Sequence, residues 1–124
     1  MGGSSQIESF KDLKVWQQAM SLAERCYVVT RRFPREELFG LTSQIRRAAT
    51  SVAANVAEGH GRENTGSFIQ FLRIAQGSLK ELETHLILAQ RVGILSGTEA
   101  AELDQPCQDV GKMLRSLIRS LLDR

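Results

Sequence analysis

The 124-residue sequence has little of several residue types, and each shortage excludes a class of protein. It holds two cysteines, Cys26 and Cys107, and neither belongs to a C-x-x-C or Cys/His metal-binding pattern. Aromatic residues make up 6% of the chain and there are only two prolines, a composition that favours helices. No uncharged apolar run approaches the roughly 20 residues that span a membrane, and no secretory signal is present. We therefore predict a cytoplasmic protein without membrane association, in which both cysteines are buried, reduced thiols.

Sequence motifs for catalysis are also missing. No Glu-x-x-His pair of the di-iron bundle type occurs, since Glu81 precedes His85 by four residues rather than three. Neither His60 nor His85 has an arginine four to seven positions earlier, as helical ribonucleases of the HEPN class do. The Gly59-His60-Gly61 sequence has no preceding strand pattern and no P-loop lysine. We predict that the protein is not an enzyme and holds neither a metal nor a cofactor.

What the sequence does contain is apolar residues at helical spacing, in a composition rich in good helix formers. The pattern predicts four helices, over residues 12–31, 41–59, 66–92 and 98–122. Pro34 ends the first helix, Gly59 caps the second, and Ser96-x-x-Glu99 is a capping box for the fourth. The fold prediction is an all-α, antiparallel up-down-up-down four-helix bundle forming one domain over residues 10–124. Residues 1–9 are interpreted as a disordered tail or cloning remnant.

The second predicted helix has two occupied faces. Its apolar seam consists of Leu38, Leu41, Ile45, Ala48, Val52, Asn55 and Gly59. The opposite face is small, and we predict that it packs on another helix, from a second protomer, through Ser43, Arg47, Ser51 and Ala54. The structural interpretation is that Asn55, as a polar seam residue, sets the helix register, with Glu58 nearby. The alternative is that Asn55 and Glu58 brace the following loop for a ligand.

Basic residues are concentrated in the first half of the chain. Between Lys11 and Arg62 there are nine Lys/Arg against five Asp/Glu, a net charge of +4, compared with +2 for the whole chain. The candidates for phosphate contact are Lys11, Lys14, Arg31, Arg32, Arg46, Arg47 and Arg62. The alternative is a solvated surface with ion pairs inside the bundle. Because Arg47 lies among small residues, an interface ion pair is a competing role for it, and we expect Arg46 to be freer to face solvent.

Several stretches carry a family resemblance: FxxLxVW from Phe10, FPxxExFGL from Phe33, QIRRA from Gln44, NVAEG from Asn55 and FLxIAxGSxxEL from Phe71. With these motifs the chain resembles the four-helix bundle family encoded within intervening sequences of bacterial 23S ribosomal RNA genes. It is also similar to the accessory variability determinant of diversity-generating retroelements. The resemblance implies a ring-like homopentamer that binds nucleic acid and has no assigned catalysis.

Two functional hypotheses follow from the residues and the resemblance together. The first is a non-enzymatic homo-oligomeric bundle that binds RNA or DNA through a basic surface of the assembled ring. The second is a structural or protein-interaction bundle with no nucleic-acid role, in which the arginines form ion pairs between subunits. The small net charge of +2 weakens the case for tight binding by a single subunit, because affinity for nucleic acid rests mainly on neutralised phosphates.

Overall fold

The computed structural model describes residues 9–124, which contain four α-helices and no strand. The helices are α1 (Lys14–Thr30), α2 (Leu41–Gly61), α3 (Thr65–Arg91) and α4 (Gly97–Leu122). Short 3-10 turns at Phe10–Asp12 and Arg35–Glu37 precede α1 and α2. The predicted all-α fold of four helices is confirmed. The predicted tail falls on residues outside the described range, except that Ser9 caps the first 3-10 turn.

Each helix packs on its neighbours in sequence, and α4 packs back on α1. Within residues 9–124 no Cα atoms approach within 8 Å across the diagonals, between α1 and α3 or between α2 and α4. The α1–α2 side of the bundle therefore lies opposite the α3–α4 side. Ser51 meets Ser78 near the middle of α2 and α3, whereas Gly59, late in α2, meets Phe71, early in α3. These two helices therefore run in opposite directions.

The two ends of the bundle differ in composition and are named here for later use. Arg32, just after α1, pairs with Glu99 at the start of α4, and Gln90 of α3 lies beside Gly97. We call this the Arg32 end. At the other end, which we call the Leu13 end, a shallow cavity is lined by all four helices or their flanks, including Leu13, Gly59, Phe68 and Leu121.

The spacing predicts an apolar seam in α3, Phe68-Leu72-Ala75-Leu79-Leu82-Leu86-Ala89, and one in α4, Leu103-Cys107-Val110-Leu114-Leu117-Leu121. Together these seams supply about half of the observed core. In α3, Leu72, Ala75, Leu79, Leu82, Leu86 and Ala89 are buried. In α4, Ile118 is buried and Leu117, a predicted seam residue, is only partly buried.

The predicted burial of both cysteines is confirmed, and desolvation raises the pKa of Cys26 and of Cys107 to about 12. Both thiols are therefore protonated at neutral pH.

In α1, the spacing predicts two adjacent apolar stripes, Leu13-Trp16-Met20-Ala23-Tyr27-Thr30 and Val15-Ala19-Leu22-Cys26-Val29. Ala23 and Thr30 of the first stripe are buried, together with most of the second stripe. The core residues on that stripe are Val15, Ala19, Leu22 and Cys26. Met20 and Tyr27, which the spacing places on the other stripe, are 38% and 42% exposed. Trp16 is partly buried and packs edge-on against Phe10, with ring centroids 5.3 Å apart. The prediction that this tryptophan belongs to the packed structure is confirmed.

For α2, two predictions are wrong. Asn55 is not a core residue, because Val56 takes the buried position and Asn55 is only half-buried. Gly59 does not end the helix, which continues to Gly61. Instead Gly59 is buried where α2 crosses α3, and an added Cβ would lie 2.6 Å from Phe71 Cβ. Ala49 and Ala53 are buried beside the seam, so α2 buries a wider stripe than one heptad seam provides.

The connections between helices are short and capped. The α2–α3 connection comprises Arg62, Glu63 and Asn64, and Glu63 adopts a left-handed backbone with φ of 56°. The sequence offers Asn64 or Thr65 as the cap of α3, and the structure has Asn64, whose side chain accepts a hydrogen bond from the Ser67 N–H at 2.9 Å. The predicted Ser96–Glu99 capping box at the start of α4 is confirmed. No helix among residues 9–124 has the length and apolar character needed to cross a membrane.

Candidate nucleic-acid and subunit interface

The seven basic candidates do not form one patch. Lys11, Lys14 and Arg62 lie at the Leu13 end, because they flank the start of α1 and the end of α2. The four others are found at the Arg32 end: Arg31, Arg32, Arg46 and Arg47. Arg47 and Arg62 are 15 residues apart along α2, which at 1.5 Å per residue separates the two groups by more than about 20 Å. The seven therefore form two groups, one at each end of the bundle.

Arg46 is the least exposed of the candidate arginines, and it contacts two residues of α1. Its Nε donates a hydrogen bond to Thr30 Oγ1 at 2.9 Å, and its guanidinium lies over the Tyr27 ring, 4.5 Å from the centroid. The Thr30 hydroxyl in turn donates to the carbonyl oxygen of Cys26 at 2.7 Å. Arg46 is thus half-buried between α1 and α2. The expectation that it is freer than Arg47 to face solvent is wrong.

Arg47 is the exposed member of the pair. Within the described residues it makes no hydrogen bond or ion pair with another residue, and it lines an open groove of about 650 Å³ on the outer surface of α2. Ser43 and Ser51, two residues of the predicted small face, line the same groove, while Ala54 is exposed outside it. We call this groove and its rim the α2 surface; its lining residues are Tyr27, Leu38, Phe39, Thr42, Ser43, Arg46, Arg47, Thr50 and Ser51.

Phe39 is the least expected member of the α2 surface. It is 92% exposed, the most exposed of the large apolar side chains in the described part of the chain. Leu38 beside it is 47% exposed, although its spacing placed it in the predicted seam of α2. Sequence reasoning missed Phe39 as a surface residue, because one apolar residue in a turn has no periodic signal. The available signal was its position between Pro34 and Gly40, in a turn too short to fold back onto the core.

The remaining arginines at the Arg32 end differ in their partners. Arg31 is exposed and has no ion pair among residues 9–124. Arg32 donates to the Glu99 carboxylate. The backbone N–H of Ser96 is the largest influence holding the pKa of Glu99 below its ordinary value, and the charge of Arg32 adds to it. Arg32 thus has an intramolecular role, as the solvated-surface interpretation predicted for part of this set.

At the Leu13 end, Lys11 and Lys14 are exposed, whereas Arg62 is occupied. The Arg62 guanidinium pairs with the Glu58 carboxylate at 3.1 Å and lies 5.0 Å from the centroid of the Phe71 ring. Glu58 therefore pairs with the residue that follows α2, and no hydrogen bond joins it to Asn55 in the described range. His60 packs edge-on against Phe68, with ring centroids 5.7 Å apart. His85, at the edge of α3, lies 3.4 Å from Glu81.

Asn55 belongs to a polar contact between α2 and α3. Its Nδ2 donates to the Ser51 carbonyl oxygen at 2.8 Å and lies 3.0 Å from Ser51 Oγ. Ser51 Oγ in turn lies 2.8 Å from Ser78 Oγ of α3. Asn55 thus bonds to Ser51 of its own helix and does not occupy a core position, and its role in helix register stays a prediction. Ser51 does meet another helix, as predicted, and that helix is α3 of the same chain.

The fold and these surfaces define a small helical-bundle protein with an arginine-rich end and an exposed aromatic residue. No group of three or more His, Cys, Asp or Glu side chains is placed to hold a metal ion in the described range. The chain belongs to the 23S rRNA-intervening sequence protein family, which matches residues 11–116. No curated protein matches it.

A solved structure has the same fold. It is a crystal structure of a protein of unknown function from the S23 ribosomal protein family of Bacteroides thetaiotaomicron. The two chains are 25% identical, with a TM-score of 0.79, and the match covers 85% of this chain and 95% of the other. The family and this relative therefore establish the fold and the membership, and they assign no activity.

Proposed function

We propose that the protein is a non-enzymatic, ring-like homopentamer of up-down-up-down bundles that binds RNA or DNA through the Arg32 ends of its subunits. The observation that supports this most is the charge at the α1–α2 connection. Residues 31–47 contain five arginines and two glutamates, a net charge of +3. Arg31 and Arg35 are exposed there, and neither forms an ion pair with another described residue. Unpaired guanidinium groups are well suited to phosphate contacts.

Assembly would compensate for the modest charge of one subunit. In a ring whose axis runs parallel to the bundles, all subunits present the same end on the same face. Five Arg32 ends would then form one basic surface, and simultaneous contacts would raise the affinity through effective concentration. The side surfaces of each bundle, including Arg47 and Phe39, would face neighbouring subunits instead. This division assigns Arg31 and Arg35 to nucleic acid and Arg47 to the subunit interface.

The test is a salt titration of binding with two matched double variants. Arg31→Ala/Arg35→Ala removes two charges at the Arg32 end, and Arg115→Ala/Arg119→Ala removes two exposed charges from α4 towards the other end. The probes are a fluorescent single-stranded RNA and a DNA duplex of mixed sequence. We expect the first variant to weaken binding and to flatten the slope of log K against log salt by about two for each engaged subunit. The mass in solution should stay unchanged.

Two results would contradict the proposal, the first its nucleic-acid role and the second its placement of binding at the Arg32 end. One is the absence of binding to either probe at low salt by the assembled wild-type protein. The other is an equal loss of affinity in both double variants, which would indicate diffuse attraction. A third variant, Lys11→Ala/Lys14→Ala, measures the contribution of the Leu13 end, where both lysines are exposed.

A structural or protein-interaction bundle without a nucleic-acid role is the second candidate. The exposed Phe39 favours it, because an aromatic side chain left in water is typical of a contact surface. Under this hypothesis Arg47→Ala disrupts the oligomer, and nucleic-acid affinity is negligible before and after the change. Light scattering and the same salt titration separate the two functions.

A further inference from the structure

We propose that Phe39 of one subunit inserts into the groove between α3 and α4 of the next subunit, and that Arg47 faces the carboxylates of that groove. This rests on the homo-oligomer of the proposed function and specifies its interface. The occupant of the α3–α4 groove is thus a second copy of this chain, bound through the α2 surface.

Phe39 is presented by a hydrogen-bonded turn and not by a loose loop. The Gly40 N–H donates to the Glu37 carbonyl oxygen at 2.9 Å, and the Leu41 N–H donates to Glu37 Oε1 at 3.0 Å. A Cβ at Gly40 would lie 2.7 Å from Glu37 Oε1, so a larger residue there would displace the Glu37 carboxylate from the turn. Because hydrogen bonds already hold the backbone of the turn, association mainly costs the conformational freedom of the Phe39 side chain, which is 92% exposed.

The α3–α4 groove has the size and lining for an aromatic ring. Its volume of about 350 Å³ is at the low end of the range for sites that hold small ligands. Gly97, Ala100 and Ala101 on α4 line one side with small groups, and Ile87 on α3, which is 52% exposed, offers an apolar wall. Cys107 closes the groove from the core.

The charges of the two surfaces are complementary. The ionisable groups that line the α3–α4 groove, apart from the buried Cys107 thiol, are Asp104 and Glu83, whose carboxylate also pairs with Lys80 at 3.5 Å. Those that line the α2 surface are Arg46 and Arg47, together with the Tyr27 phenol. Arg47 has no partner among residues 9–124, so an acidic groove would supply one.

The positions of the two surfaces suit a closed ring. The α2 surface is on the α1–α2 side, and the groove is on the opposite, α3–α4 side. Both lie towards the Arg32 end, because the groove includes Gln90 and Gly97 and the α2 surface includes Phe39 and Thr42. When the two surfaces lie on opposite sides of a subunit, at the same height along the bundle, each subunit can bind the next in the same head-to-tail way. Such a heterologous contact closes into a ring when its rotation allows.

A mixing experiment tests this arrangement. Phe39→Ala removes the inserted side chain, Ala101→Trp fills the groove, and both residues are exposed, so that thermal unfolding should verify an intact fold. Each variant alone should be a monomer near 13.8 kDa, with association weakened about 30-fold or more, as expected for loss of an aromatic anchor. A 1:1 mixture should form a heterodimer of twice that mass, because one intact Phe39 meets one intact groove. Leu122→Ala, which is 57% exposed at the other end, is the control and should leave the wild-type mass unchanged.

A charge reversal tests the acidic side of the groove separately. Asp104→Lys should weaken assembly, whereas Glu102→Lys, the same change on the same helix outside the groove, should do so much less. Multi-angle light scattering over a range of concentrations measures both effects.

The possible failures are distinguishable. If wild type is an oligomer and Phe39→Ala keeps its mass, the inference is wrong and the proposed oligomer stands. The inference is also wrong if the mixture stays monomeric, or if Phe39→Ala lowers nucleic-acid affinity at unchanged mass, which would assign Phe39 to base stacking. A wild-type monomer at all concentrations would overturn both the inference and the oligomer of the proposed function.

Discussion

Two helix pairs in this bundle are held together in opposite ways. The α2–α3 pair is the most closely packed, with Gly59 against Phe71 and a serine–serine contact at mid-length. The α1–α4 pair is more open, since a groove of about 560 Å³ runs between the two helices. Arg32 and Glu99 span that groove at one end.

The difference follows from side-chain size along each contact. Small residues on α2 and α3 let the two backbones approach, and close approach multiplies van der Waals contacts. Long charged side chains, such as Glu24, Arg25 and Glu102, line the α1–α4 groove, which is open at the surface. The α2–α3 side is thus closely packed, whereas the α1–α4 side has exposed charges over a shared core. Four substitutions test this contrast, in decreasing order of expected effect.

The largest effect is expected at Gly59. Gly59→Ala places a Cβ within 2.6 Å of Phe71 Cβ and 3.3 Å of the Phe68 carbonyl oxygen, so the helices must separate. We expect a loss of about 1–3 kcal/mol in the free energy of unfolding, measured by urea denaturation. The matched control is Gly77→Ala in the middle of α3, where an added Cβ meets nothing within 4 Å. Gly77→Ala should raise the free energy of unfolding by about 0.5–1 kcal/mol. A Gly59→Ala variant more stable than wild type would contradict the close approach of α2 to α3 at Gly59.

The second effect concerns the polar contact at the same pair. Ser51→Ala removes the hydroxyl that meets Ser78 and Asn55, and we expect a loss of about 1 kcal/mol. A double-mutant cycle with Ser78→Ala measures the interaction energy between the two hydroxyls, because each single variant breaks the same hydrogen bond. Additive losses in the double variant would show that the two hydroxyls are not coupled.

On the α1–α4 side, the expected effect at Glu99 is smaller and depends on pH. Glu99→Ala removes the reciprocal half of the Ser96 capping box and should cost about 0.5–1 kcal/mol at pH 7. Because the folded protein lowers the pKa of Glu99, its stabilisation is complete above the ordinary value of 4.5 and is lost as the pH falls through the folded pKa. Thermal unfolding between pH 3 and pH 7 should show a shallower acid loss in this variant, with Glu102→Ala as the control.

The smallest effect is expected for the ion pair itself. The Arg32 side chain is 69% exposed, so Arg32→Ala should cost no more than about 1 kcal/mol, and the difference from wild type should shrink in high salt. Arg25→Ala, on the same groove, provides the comparison without an ion pair among the described residues. A salt-independent loss of several kcal/mol at Arg32 would mean that the charge pair, and not the shared core, holds α1 to α4.

Periodicity predicted the helices and about half of the core well, and it failed where the buried stripe is wider than one seam. The seams of α3 and α4 match the buried residues closely, because each presents one main apolar stripe. In α2 the stripe is wider, so a strict heptad placed Asn55 inside and overlooked Val56. Adjacent positions on a helix differ by only 100°, and which of them is buried depends on the angle of the neighbouring helix.

The sequence by itself determined four helices, their caps at Asn64 and Ser96, and an excess of arginine in the first half of the chain. Only the tertiary structure decided how that excess is distributed. It pairs Arg32 with Glu99, holds Arg46 against Tyr27 and Thr30, and leaves Arg47 beside an exposed Phe39. The reason is that a side chain's partners come from other helices, and their rotation and height are set by packing of the whole core.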